Sequence, residues 1–333
     1  MLSAAIEGMF LNSELFDHQR GASNKGYKKI DIGTLVLSTQ NLHLGNANVN
    51  LRFEHGMVSP AYKTYHIHDC SIGLIAEWVK SEKAKRFFYD ATTVGASVCR
   101  RNVEWDTLYD QPLYLPSEAE QERLAAFLTA LSTRIKKQTE LIEHLKKYKR
   151  GLLDAIFNQK IHVTNDDEEW QECRIGDILK ILHGRDYKDY QAPNGEYPVL
   201  GTGGVIDHAT KYLCDWACVL IGRKGTIDKP QYMDKPFWTV DTLFYSKPES
   251  SHNPKFQYYL FQTINWKKYN EASGVPSQSS STIEGINVCV PNPHTQETIA
   301  NLFSRVDELI DDHAVMLSRL QECKKGLMQQ LFI

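Results

Sequence analysis

Residues 115–157, LPSEAEQERLAAFLTALSTRIKKQTELIEHLKKYKRGLLDAIF, align without a gap on residues 290–332, VPNPHTQETIANLFSRVDELIDDHAVMLSRLQECKKGLMQQLF, at a constant offset of 175. Identities include Pro116/Pro291, Gln121/Gln296, Glu122/Glu297, Ala125/Ala300, Ile135/Ile310, Leu145/Leu320, Lys149/Lys324, Gly151/Gly326, Leu152/Leu327 and Phe157/Phe332. Such a block restricts the chain to architectures that use one supersecondary unit twice.

Within each copy apolar residues recur at alternating steps of four and three, which predicts a helix with a coiled-coil seam. In the first copy the seam is Leu124, Leu128, Leu131, Ile135, Gln138, Ile142, Leu145, Lys149, Leu152 and Ile156. In the second it is Ile299, Phe303, Val306, Ile310, His313, Leu317, Leu320, Lys324, Leu327 and Leu331. The polar interruptions fall at matched places, Gln138 with His313 and Lys149 with Lys324. Polar seam residues restrict register and partner orientation at some cost in stability; a lysine near a frayed helix end can equally snorkel to solvent. A helix of about 40 residues is on the order of 60 Å long, too long to be buried inside one small domain. Its stripe needs a partner, and pairing the two copies antiparallel would place the two globular segments at opposite ends of a rod.

The segments ahead of the helices are β-rich. IDIGTLVLS (30–38), MVSPAYKTYHI (57–67), ACVLIG (217–222) and WTVDTLFYS (238–246) are short apolar or alternating runs, separated by turn signals such as GTGG (201–204) and RKGTIDKP (223–230). A weaker repeat sets IDIGTLVLS where LCDWACVLI stands, at an offset near 183. NQKIHVTNDDEE (158–169) is polar and reads as a linker. The chain therefore divides along its length into a first domain (1–114), a first long helix (115–158), a second domain (159–289) and a second long helix (290–333).

A chain of 333 residues with 42% hydrophobic content can bury two cores. No run approaches the roughly 18 apolar residues of a spanning helix, and MLSAAIEGMFLNSELF lacks the pattern of a signal peptide. This points to a cytoplasmic protein. The seven cysteines are odd in number and scattered, which favours reduced thiols. Cys214 and Cys218 alone stand close, in a β-like apolar run with no second Cys or His pair at finger spacing, so buried thiols are expected there and no metal. The net charge of −3 speaks against nucleic-acid binding through an overall basic field; a DNA-binding role needs local positive charge or partners that supply it.

LPSEAEQ at 115–121 with KRGLLDAIFNQKI at 149–161, VPNPHTQ at 290–296 with KKGLMQQLF at 324–332, WQECRIGDILKILHGRDY at 170–187 and GMVSPAYKTY at 56–65 resemble the specificity (S) subunits of type I restriction-modification systems. The resemblance covers essentially the whole chain. It implies an α+β protein, with two α/β target-recognition domains separated by two long antiparallel coiled-coil helices. In that family each recognition domain reads one half of a split DNA site, and the helices set the spacer and dock two methyltransferase (M) subunits. S-adenosylmethionine, ATP and Mg are then expected on the M and restriction (R) subunits, with no cofactor in this chain. Major-groove faces recur about every 34 Å along B-DNA, so two readers on one rod would address separate turns. One departure stands out: the second domain opens with 170–182, whereas the offset sets the first domain's counterpart before Met1. Either the first domain is N-terminally shortened, with an edge strand missing and apolar surface exposed, or the start is wrongly placed.

The residues agree that chemistry lies elsewhere. The chain holds no G-x-x-x-x-G-K-[ST] loop, no G-x-G-x-x-G after a strand, no H-E-x-x-H and no G-x-S-x-G. GRKGT at 222–226 has the wrong spacing for a P-loop; it is either a phosphate-contacting loop or a solvated turn. Base reading needs polar side chains on loops that reach groove edges. Candidates in the first domain are Gln40, Asn41, His43, Ser59, Lys63, Arg100 and Arg101, with Tyr62 more at home in a strand. In the second domain they are Arg185, Lys188, Thr202, His208, Arg223, Lys224, Ser277 and Gln278, flanked by His183 and Tyr187, with Trp238 reading as core. The readings that stay open are a two-site recognition subunit, a truncated subunit reading one half-site, and a protein-interaction scaffold without DNA contact.

Overall fold

A computed structural model describes residues 1–16, 25–97, 100–164 and 169–331. Short strands and helices precede the first repeat copy: β1 (Leu2–Ala5), β2 (Gly8–Leu11), α1 (Asn12–Leu15), β3 (Lys28–Asp31), β4 (Leu35–Ser38), β5 (Ala47–Val49), β6 (His55–Val58), β7 (Tyr62–Tyr65), α2 (Ile72–Trp78), α3 (Glu82–Asp90), β8 (Thr92–Ser97), β9 (Arg100–Val103) and α4 (Trp105–Asp110). The repeat itself is the 40-residue helix α5 (Glu118–Phe157). Then follow β10 (Gln171–Arg174), α6 (Ile175–Ile178), β11 (Leu179–His183), β12 (Tyr197–Gly201), β13 (Gly204–Ala209), β14 (Cys218–Gly222), β15 (Gln231–Met233), β16 (Trp238–Thr239), β17 (Leu243–Pro248), α7 (Pro254–Thr263), α8 (Ser280–Glu284) and β18 (Asn287–Val290). The second copy is the 39-residue helix α9 (Pro293–Leu331). No described helix is long and apolar enough to cross a membrane.

Local chemistry explains where the long helices start and stop. Ser117 and Glu120 form a capping pair ahead of α5, the Ser117 amide and hydroxyl both donating to the Glu120 carboxylate at 3.2 and 2.8 Å. At the start of α9 the Asn292 side chain accepts from the Thr295 amide at 2.8 Å, and Pro293 takes the first helical position, where no amide is needed. Gln159, at φ 57°, turns the chain out of α5 in the left-handed conformation.

The chain forms two compact units, and each takes part of both long helices: Met1–Leu141 with His313–Ile333, and Ile142–Asp312. In the first, β4 lies between β5 and β7, with separate pairs β1–β2, β3–β6 and β8–β9. Its core gathers Leu37, Leu42, Leu74, Trp78, Phe88 and Leu108 onto Leu128 of α5 and Met328 of α9. In the second, a sheet in the order β11-β17-β14-β15 stands beside β13-β12-β16 and the pair β10–β18. There Ile175, Ile178, Phe244, Phe256, Tyr259 and Trp266 pack on Leu153 and Ile156 of α5 and on Ile299 and Phe303 of α9. The weaker repeat has a structural basis. Leu37 pairs with Lys63 across β4 and β7, and Leu220 with Tyr245 across β14 and β17, in equivalent antiparallel positions at offsets of 183 and 182.

The helices run antiparallel inside each unit. In the first, the Gln138 amide donates to the His313 carbonyl at 3.0 Å while Lys324 reaches Ser132 at 2.6 Å, so partner numbers rise on α9 as they fall on α5. In the second, Lys149 pairs with Asp307 at 2.6 Å while Ile156 packs near Ile299. Along both helices every seam position named above is buried or half-buried. Gln138 meets the residue that stands in its own place in the other copy, and the pairs 149/307 and 324/132 occupy the same two repeat positions. The lysines are anchored, not snorkelling. Lys324 ion-pairs with Glu77 of α2 at 2.6 Å. Lys149 lies 5.1 Å from the ring centroid of Tyr259 of α7, whose hydroxyl donates to Asp307 at 2.9 Å.

The repeated glutamine has an equally specific task. Gln121 accepts from the amide of Ser71, the N-cap of α2, at 2.8 Å and donates to the Pro116 carbonyl at 3.0 Å. Gln296 accepts from the amide of Asn253, the N-cap of α7, at 3.0 Å and donates to the Pro291 carbonyl at 2.9 Å. Both are buried, at 4% and 1% exposure. Each thus ties a domain helix to the start of the long helix that follows it. Removing a buried partner strands the groups left behind at a cost of about 1–3 kcal/mol. Gln296→Ala is therefore expected to lower stability by roughly 2 kcal/mol, read by chemical denaturation; a change below a few tenths would refute the clamp.

Candidate nucleic-acid interface

In the second unit five of the eight expected contact residues meet on one cluster of loops. The segment 239–242 supports it: the Arg185 amide donates to the Thr239 carbonyl at 2.8 Å, and the Arg223 and Lys224 amides donate to the Thr242 carbonyl at 2.8 and 3.2 Å. From the other side Lys224 bridges Ser277, and the Gly225 amide donates to the Pro276 carbonyl at 2.8 Å. The backbone of Thr202 joins through Gln231, whose amide nitrogen donates to the Gly201 and Thr202 carbonyls at 3.1 and 3.4 Å. Close approach needs glycine here, since a Cβ on Gly184 would lie 2.0 Å from the Val240 carbonyl oxygen and one on Gly222 2.1 Å from that of Thr226. GRKGT is accordingly a loop held on both flanks. Arg185 and Lys224 are exposed, and Arg223 is half-buried with its guanidinium 3.4 Å from the Asp241 carbonyl.

Gln278 lies under this cluster, not on it. It is 3% exposed, its amide nitrogen donates to the Gly222 carbonyl at 2.8 Å and its backbone amide to the Arg223 carbonyl at 3.0 Å, so it shapes the loop. Lys188 and His208 are exposed and are joined through neighbouring amides, that of Gln191 donating to the Lys188 carbonyl at 3.3 Å and that of Ala192 to the His208 carbonyl at 3.0 Å. Asp207 sits there too, its carboxyl held below the usual range by the His208 amide and by the Tyr187 and Gln191 side chains. Trp238 is core, 6% exposed, with its indole nitrogen donating to the Arg185 carbonyl at 2.8 Å.

Two supports were not foreseen from sequence. Gln231 holds the GTGG turn, and Glu271 accepts from Ser279 and Thr282, which bind it into the Ser-rich turn and hold its carboxyl below the usual range. Cys214 and Cys218 lie inside a small apolar cluster at 1% and 0% exposure, their sulfurs 4.0 Å apart. Their mutual hydrogen bond and burial push the Cys218 thiol far above its ordinary range.

In the first unit Gln40 and Asn41 are exposed and Ser59 half-buried. The Thr39 amide and hydroxyl both donate to the Ala61 carbonyl at 3.2 and 2.8 Å, which brings 39–41 beside 59–61. His43 is half-buried, and burial together with the nearby Arg101 charge lowers its pKa and favours the neutral ring. The cations are engaged internally. Lys63 stands 3.9 Å from the ring centroid of Trp105 and 3.2 Å from the Tyr109 hydroxyl. Arg101 donates twice to Thr92, at 2.7 Å each, and lies 4.1 Å over the Tyr89 ring. Arg100 has its backbone in β9 and its side chain outside the described residues. Tyr62 is a strand residue whose hydroxyl donates to the Ala4 carbonyl at 3.2 Å. The Trp105/Tyr109 seat for Lys63 was legible only as two aromatics one helical turn apart in WDTLY.

Residues 167–320, which contain this whole loop cluster, match the family model for the type I restriction modification DNA specificity domain. Over that segment the chain is similar to the specificity domain of type I restriction-modification systems. The type I restriction enzyme MjaVIII specificity subunit of Methanocaldococcus jannaschii is 24% identical over 190 residues, which is 52% of this chain and 44% of that protein. The chain thus spans less than half the length of the curated relative it matches. The S subunit of the type I restriction-modification system from M. genitalium superposes with a TM-score of 0.67 at 16% identity, covering 94% of this chain and 87% of that one. A chain from a structure of type I R-M complex assembly and conformational transition gives a TM-score of 0.58 at 15% identity, covering 93% and 84%. These likenesses show the fold: two α/β domains accompany two long antiparallel helices. The matched segment begins before Trp170 and ends within α9, so it takes in the second domain and the α9 side of the seam on which that domain rests.

Proposed function

We propose that this chain is the DNA-recognition subunit of a type I restriction-modification complex in the cytoplasm. Each domain reads one half of a bipartite site, and the paired helices set the gap and dock methyltransferase subunits. The loop cluster carrying Arg185, Arg223, Lys224, Thr202 and Ser277 supports this most, because it presents hydrogen-bond donors from loops at strand ends that are held together by backbone hydrogen bonds, as groove reading requires. Methyl transfer from S-adenosylmethionine, and cleavage with ATP and Mg, fall to the M and R subunits; this chain is the non-catalytic part.

A second reading, one half-site only, is favoured by a specific observation: Lys63 and Arg101 of the first unit are held by aromatic rings and Thr92. The chain co-purified with the methyltransferase subunits would be titrated against labelled random duplex over a salt series. The recognition reading expects affinity that falls linearly on a log–log plot as phosphate contacts release counterions. Assembly without any duplex binding would leave only a scaffold.

A further inference from the structure

The exposed aliphatic side chains of the second domain are not scattered over its surface. Among the described residues between Trp170 and Val290, those larger than alanine are Val205, Ile206 and Val275, at 57%, 55% and 67% exposure. All three flank the loop 222–226. Val275 precedes Pro276, whose carbonyl accepts from the Gly225 amide at 2.8 Å. Val205 and Ile206 stand near the tip of the β12–β13 hairpin, where a Cβ on Gly225 would lie 3.7 Å from the Thr202 hydroxyl.

Backbone geometry puts the pair at 205 and 206 in solvent. Successive side chains of a regular strand point to opposite faces, so one of two neighbours should turn inward. Here Leu200 pairs with Val205 and Val199 with Asp207, which leaves Ile206 as the extra residue of a β-bulge. Both side chains are therefore exposed. Gly201 makes room for the second, since a Cβ there would lie 3.2 Å from Ile206 Cγ2. Gln231 of β15, by donating to the Gly201 and Thr202 carbonyls, ties the tip to the sheet that carries Arg223 and Lys224.

A two-stranded ribbon fits the B-DNA major groove, and the apolar feature presented there is the thymine C5-methyl group; the minor groove has no equivalent. Resting on the DNA-reading role proposed above, we infer that the tip of the β12–β13 hairpin enters the major groove and packs Val205 and Ile206 on thymine methyls. Contacts from Arg223 or Lys224 to phosphate position the domain without distinguishing base pairs. The aliphatic pair supplies discrimination, for thymine at a defined place in the second half-site. Three side chains fall far short of the roughly 20–30 residues that a stable protein partner covers, and the adjoining cations favour a polyanion.

The test uses the chain assembled with its methyltransferase subunits and the duplex motif that this complex selects from a random pool. Each thymine of the motif is replaced in turn by deoxyuridine, which keeps the base pair and removes the methyl. At one or two thymines the parent complex should bind about fourfold more weakly for each methyl lost. Val205→Ser with Ile206→Ser should bind thymine and deoxyuridine alike at those places, with a melting temperature close to the parent's because both side chains are exposed. Val205→Ile with Ile206→Val, which keeps the apolar surface, should retain the discrimination. Deoxyuridine tolerated at every thymine, a motif without A·T pairs, or full discrimination by the serine variant would overturn the inference while leaving DNA reading intact. A pool with no enriched motif would overturn both.

Discussion

Phe303→Ala is expected to destabilise the second unit by about 3–5 kcal/mol, and Leu128→Ala the first unit by about 2–5 kcal/mol. The two residues hold the same repeat position, 175 apart, and both are 0% exposed. Each lies on a helix seam, yet each belongs to a domain core: Phe303 packs with its ring 5.1 Å from that of Tyr259, and Leu128 joins Leu74 and Trp78. Truncation therefore leaves a cavity at the joint between seam and domain, where neither side can collapse independently. Separate probes report the units, Trp266 fluorescence for the second and Trp78 for the first, after the other tryptophans are replaced by phenylalanine. Phe303→Ala should shift the first of these transitions by far the more. Equal shifts in both from either change would contradict two units with their own cores.

The second large effect concerns the loops. Arg223→Glu with Lys224→Glu puts two negative charges on the most firmly supported part of the cluster. If both side chains meet phosphate or base edges, affinity of the assembled complex for duplex DNA should fall by at least about a hundredfold, and the salt slope should drop by roughly two. Lys188→Glu, outside the hydrogen bonds that hold the 223–224 loop, should do much less. The loop's backbone hydrogen bonds remain in these exchanges: Lys224 is exposed, and half-buried Arg223 gives up only its long contact to the Asp241 carbonyl, so a thermal melt close to the parent's accompanies the loss of binding. Identical losses at the two places would instead indicate a diffuse field.

Much of this architecture was legible because helical periodicity is a local property. The seam positions and the strands at 35–38 and 218–222 follow from spacing and from β-branched runs, while the helix starts at Glu118 and Pro293 lie three residues inside the bounds read from sequence. The task of Lys149 and Lys324 was not, since their partners Asp307, Tyr259 and Glu77 lie far along the chain. Nor could sequence tell that Gln278 faces inward or that Lys63 is covered by Trp105: solvent access is set by tertiary packing. Gly184 and Gly222 were silent for the same reason, as close backbone approach leaves no mark beyond the glycine itself.

The central claim, that this chain reads DNA sequence for its partners, is tested most directly by selection. The chain assembled with its methyltransferase subunits is incubated with a randomised duplex pool, and the bound fraction is sequenced. The account predicts two short motifs separated by a gap of fixed length, the second motif weakened by Arg185→Ala and by changes at 223–224. A bound pool with no enriched motif of any kind would contradict it.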